Sequence, residues 1–154
     1  ILTQNPMLVG RALDRAKSLL NPPPPLKSPP GSVGVVAQPY LLEDEGFREA
    51  VRNALAAVDL LPFFPDLPPE KLREEGDKLL PMDLPTDKEL VGMVHYLHRL
   101  GRVKGLLLVV SYACPPIPGL LRRAARRLAK PHRLVTLGED WTESLSALKA
   151  EMGA

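Results

Sequence analysis

The sequence predicts an α/β fold: a mostly parallel, four-stranded Rossmann-like sheet with helices on both faces, in three layers. Two observations carry this. Short apolar runs at 33–37, 59–64, 106–110 and 132–137 alternate with segments whose apolar residues recur at helical spacing. The run Leu106 to Val110 is unbroken Leu and Val, as expected of a strand buried on both faces.

Composition agrees with one ordinary domain. The chain has 154 residues, 45% hydrophobic and 25% charged, which suffices for a sizeable core. The net charge of +2 is too small to imply a nucleic-acid or membrane partner. No apolar run reaches the roughly 20 residues of a membrane span, and no secretory leader is legible. A cytoplasmic protein is the expectation. The single cysteine rules out an internal disulfide framework and a self-contained cysteine-ligated metal site. The chain opens on Ile1, which reads as a fragment or a processed C-terminal part. Eighteen prolines, with many Leu and Arg, fit a thermophilic source.

Three regions are expected: an N-terminal helix over 1–20, a Pro-rich connector over 21–32, and an α/β domain over 33–154. Pro6 to Leu20 is amphipathic, with Asn5 placed to cap it and Pro6 in its first turn. Asn21 to Ser32, NPPPPLKSPPGS, reads as an extended spacer. Val33 to Ala37 is the first strand. Gln38-Pro39-Tyr40 ends it, and an acidic turn, Glu43 to Gly46, follows. Phe47 to Val58 is a helix burying Phe47, Val51, Leu55 and Val58. Asp59 to Phe64 is a strand, and its internal Pro62 points to a sheet edge. A proline-punctuated stretch follows, with a short helix near Glu70 to Glu75. Thr86 and Glu89 have capping-box spacing at the start of a helix over Asp87 to Leu100. After the central strand, Leu120 to Ala129 is a helix with four arginines on its outer side. His132 to Leu137 is the last strand, and Thr142 to Met152 the last helix.

In such a sheet, ligands bind outside the carboxyl ends of the strands. The exits that should share this edge are Gln38-Pro39-Tyr40, Pro65-Asp66, Tyr112 to Cys114, and Gly138 to Trp141. The expected pocket is therefore Gln38, Pro39, Tyr40, Ser111, Tyr112, Asp140, Trp141 and Thr142. Cys114 lies between a strand end and a helix start, where a helix dipole favours thiolate; core filling is the competing reading. His95 and His98, at i, i+3, could share a metal, but no third ligand has suggestive spacing, so a half-exposed helix face is the better reading. The arginines Arg122, Arg123, Arg126 and Arg127 read as a solvated face or one that meets an acidic neighbouring domain. Aromatic content of 5% weighs against nucleic acid.

Three blocks carry a resemblance. Lys88 to Cys114, with Glu89-Leu90-Val91-Gly92, Tyr96-Leu97 and Val103-Lys104-Gly105, is one. Val33 to Asp44, a strand ending in a Pro-Tyr turn, is another. Leu134 to Met152 is the third. In this order they resemble the proteins related to the 2-hydroxyacyl-CoA dehydratases and their ATP-dependent activators. The resemblance implies a C-terminal α/β domain of a dehydratase system (a lyase), other domains or subunits as partners, and a CoA thioester as ligand. It also implies a [4Fe-4S] cluster, with Cys114 as one ligand and the rest outside this chain. Ala113, Pro115 and Trp141 depart from that family's pattern, so a divergent member without a cluster fits equally. The alternative is a non-catalytic Rossmann-like module for ligand binding or assembly, with the arginine face as a docking surface.

Overall fold

The computed structural model describes residues 32–111 and 116–153. The expected helix over 6–20, most of the connector, and Tyr112 and Cys114 lie outside the described residues.

Four strands form one parallel sheet: β1 (Ser32–Val36), β2 (Leu61–Phe63), β3 (Val103–Val110) and β4 (His132–Thr136), in the order β2-β1-β3-β4. The helices are α1 (Pro39–Glu43), α2 (Glu45–Ala56), α3 (Pro69–Leu79), α4 (Pro85–Arg99), α5 (Ile117–Ala125) and α6 (Thr142–Met152). The architecture is the three-layer parallel α/β fold the alternation predicts. Every residue of β1 is buried, as is β3 apart from Lys104. β2 is an edge strand, as Pro62 requires.

Strand side chains alternate between two cores. Val36, Leu106, Leu108 and Val110 pack under α3, α4 and α5 through Leu72, Leu90, Val94, Leu97 and Leu121. Val33, Val35, Leu107, Val109 and Val135 pack under α2 and α6 through Phe47, Val51, Leu55, Leu145 and Leu148. Two glycines set the spacing on the first face. A Cβ on Gly92 would lie 1.8 Å from the Leu72 carbonyl oxygen, and one on Gly76 would lie 2.2 Å from that of Lys88. Helices α3 and α4 therefore touch backbone to backbone.

Several boundaries differ from the sequence reading, each for a physical reason. The Pro39-Tyr40 turn is a short helix, α1, because Pro39 suits a first helical turn. Helix α2 starts earlier than expected: Asp44 is its N-cap, accepting from the Phe47 amide at 2.6 Å. Helix α3 runs past Gly76 to Leu79, since that glycine is where α4 packs. Thr86 and Glu89 form no capping box. Pro85 opens α4, Leu84 is the N-cap, and no side chain caps it. β3 begins at Val103, its Gly105 lying under Met152 and Leu148. α5 ends at Ala125, four residues short of the expected Ala129. Lys130 beyond it donates to the carbonyls of Leu100 at 2.7 Å and Leu97 at 3.3 Å, closing the end of α4.

Candidate functional site

Strand order reverses between β1 and β3. The chain leaves β1 through α2 to β2 on one side, and leaves β2 through α3 and α4 to β3 on the other. The adjacent carboxyl ends of β1 and β3 then open a crevice that no crossover covers. Parallel register pairs Val36 with Leu108, so β3 extends two residues further and delivers Ser111 beside the exit of β1.

Three side chains meet there. The Tyr40 hydroxyl donates to Gln38 Oε1 at 2.8 Å and lies 3.2 Å from Ser111 Oγ. The Ser111 hydroxyl donates to the same Gln38 oxygen at 3.2 Å. Gln38 thus has its carbonyl oxygen occupied. Among the described residues its amide nitrogen donates to nothing. Tyr40 is 57% exposed, with its hydroxyl bonded into the cluster. The arrangement offers two N–H donors and two hydroxyls in a neutral environment. This suits a ligand with carbonyl, hydroxyl or phosphoryl oxygens. Pro39, in the first turn of α1, sets the backbone between Gln38 and Tyr40.

The remaining predicted pocket residues form a separate feature. The Asp140 carboxylate accepts from the Thr142 hydroxyl at 2.6 Å and from its amide at 2.9 Å. Those two bonds, the hydroxyl first, hold the Asp140 carboxyl below its ordinary range. The Trp141 indole N–H donates to the Thr136 carbonyl at 2.8 Å, which pins the ring over the end of β4. These residues border a groove of about 380 Å³ between α2 and α6, walled by Ala50, Ala54, Val58, Leu137 and Leu145. Neither Gln38, Tyr40 nor Ser111 lines it. The groove is largely apolar, and its polar rim is used up in local turns. Asp66, at the β2 exit, accepts from the Tyr96 hydroxyl of α4 at 2.9 Å and lies outside both features.

No family model matches the chain, and no curated protein matches it significantly. Among solved structures, the diflavin flavoprotein A3 from Nostoc sp. aligns over 80% of this chain and 89% of its own, at 17% identity and a TM-score of 0.37. A likeness at that level carries no argument about ligand or activity.

The two histidines of α4 part company. His95 Nδ1 lies 2.7 Å from Glu75 Oε2 of α3. His98 Nδ1 is buried with no hydrogen-bond partner among the described residues; burial first, then the charges of Lys130 and His95, lower its pKa. Among the described residues no group of three or more His, Cys, Asp and Glu could hold a metal. The donors that meet at the crevice are oxygens and an amide, which do not match the thiolates of an iron-sulfur cluster.

The hydrogen-bonded cluster was not read as such from the sequence. Gln38 and Ser111 are 73 residues apart, and what brings them together is strand order, which periodicity does not encode. The Glu75–His95 contact was missed for the same reason: it depends on how α3 folds back on α4.

Proposed function

We propose that this chain is a ligand-binding α/β module whose site is the crevice at the carboxyl ends of β1 and β3. The observation that supports this is the Gln38–Tyr40–Ser111 cluster. Its oxygens satisfy one another, while the Gln38 amide N–H groups meet no acceptor among the described residues. The ligand class that fits is a small molecule presenting carbonyl or phosphoryl oxygen.

The resemblance to the 2-hydroxyacyl-CoA dehydratase and activator proteins sharpens this to a CoA thioester, whose carbonyl is such an acceptor. It would make the module the C-terminal part of a larger lyase system. Cys114, the one thiol that could ligate a cluster, follows Ser111 by three residues in the sequence. One cysteine supplies at most one ligand, and the neighbouring groups do not fit that role. No catalytic step is therefore assigned to the cluster.

The test is calorimetric titration of the full-length protein with CoA and with acyl-CoA thioesters, repeated on Gln38→Leu and Ser111→Ala. Binding weakened about tenfold by Gln38→Leu, roughly 1.4 kcal/mol, is the expected result. No binding of thioester, or binding indifferent to both changes, overturns the reading. Anaerobic iron and sulfide analysis of the wild type and Cys114→Ser decides separately whether the thiol serves a cluster. A cluster that this change depletes supports the dehydratase reading. An iron-free protein, even after reconstitution, leaves the binding module alone.

A further inference from the structure

Helix α5 and its exit, residues 117–130, carry Arg122, Arg123, Arg126, Arg127 and Lys130 and no carboxylate. Two of these cations serve the fold. Lys130 closes the end of α4, and Arg127 donates to the Leu79 carbonyl at 3.0 Å. Arg122, Arg123 and Arg126 have no hydrogen-bond or ion-pair partner among the described residues. Elsewhere most surface cations are matched locally: Arg52 with Glu45 at 2.6 Å, Lys88 with Asp77 at 2.8 Å, Arg133 with Glu151 at 2.6 Å. Among the described residues, three of the unmatched cations therefore lie together on one face, and a fourth, Lys104, is exposed on β3. On that helix face the four arginines, with Gly119, border a shallow depression of about 460 Å³. A Cβ on Gly119 would touch nothing within 4 Å, so that end of the depression is open.

Arg122 and Arg126 are spaced i, i+4 at the end of the helix, where the Arg126 amide still donates to the Arg122 carbonyl. Like charges at that spacing disfavour an isolated helix, and no carboxylate pairs with either among the described residues. The inner side of α5 is made by Pro118, Leu121, Ala124 and Ala125, which are buried. Folding therefore does not require arginine at the outer positions.

We propose that this face docks an acidic polypeptide segment of a partner protein, its carboxylates held by Arg122, Arg123 and Arg126. The guanidinium fork binds carboxylate in a bidentate way that lysine does not reproduce. Among the described residues no aromatic ring borders the depression, so they offer none of the stacking that accompanies single-stranded nucleic acid. The chain's overall charge of only +2 gives no broad field for duplex DNA. The depression is shallow and open, suited to a chain laid along it rather than to an enclosed small molecule.

The experiment is fluorescence anisotropy of labelled poly-L-glutamate against the full-length chain, with duplex DNA as a parallel probe and sedimentation of the protein alone. Variants are Arg122→Gln/Arg126→Gln and the charge-conserving Arg122→Lys/Arg126→Lys. All changed side chains are exposed, and circular dichroism checks that both variants fold. Polyglutamate affinity should fall about tenfold in the Gln pair and about threefold in the Lys pair, and should weaken with added salt. Three outcomes overturn the proposal. Polyglutamate fails to bind at low salt. Duplex DNA binds more tightly through the same arginines. Or the protein self-associates in a way the Gln pair abolishes, which makes a second copy the occupant.

Discussion

The two faces of the sheet are packed by different rules. On one, α3 and α4 meet at Gly76 and Gly92 with no room for a single added carbon. Glu75 then locks the pair electrostatically. It accepts from His95 at 2.7 Å and from Lys78, with Arg99 at 3.2 Å. On the other face, α2 and α6 cover the same strands but leave between them the apolar groove bordered by Trp141. Close approach needs both a missing side chain and a polar clasp, and only the α3–α4 pair has them. The face that lacks them retains space.

The largest expected effect comes from closing the tight contact. Gly92→Val places side-chain atoms where the Leu72 carbonyl sits, and α3 can yield only by moving as a whole. A loss of about 3 kcal/mol, or failure to fold, is expected in urea titration. A loss under about 1 kcal/mol would show that the hairpin is not rigid.

Next comes the clasp. Burial alone would raise the Glu75 pKa, but hydrogen bonds from Lys78 and His95 outweigh it and leave it lowered. A depressed carboxylate contributes stability that is fully present above its unfolded value and lost as pH falls through its folded value. Glu75→Gln should therefore cost about 2 kcal/mol near neutrality. The gap from the wild type should narrow as pH drops below the ordinary carboxylate range. A gap that stays constant through this acid range would remove the clasp from the account.

The smallest effect probes the open face. Ala54→Leu adds apolar volume to a groove that has room for it. Stability should change by less than about 1 kcal/mol, in the favourable direction. The emission of Trp141, the only tryptophan, should shift to shorter wavelength. A marked destabilisation would mean that the two faces are equally full.

The sequence made the layers legible because burial leaves a periodic trace. β1, β3 and β4, the inward faces of α2, α4 and α5, and the edge position of β2 all follow from runs and spacings. What it hid depends on distant partners. Gly76 interrupts a helical pattern and reads as a stop until Lys88 is seen packed against it. Thr86 and Glu89 have the spacing of a cap, yet Pro85 takes the first turn. The expected single pocket is two features. Gln38, Tyr40 and Ser111 cluster where strand order reverses, while Asp140, Trp141 and Thr142 serve the turn after β4. Both sets sit at strand exits, which is all that sequence could specify.

The α3–α4 contact also bears on how the chain reaches its native state. β1 and β3 pair Val33 with Gly105, across a long intervening stretch that contains β2 and four helices. Joining such distant segments is slow, because the chain entropy is lost before the contact stabilises anything. The hairpin closes over a far shorter separation, joining Leu72 to Gly92 and Gly76 to Lys88. Once formed, it shortens the effective tether between the two central strands. Chain entropy thus favours the local hairpin before the sheet, and the glycines that fix the thickness of one layer are what let that hairpin close.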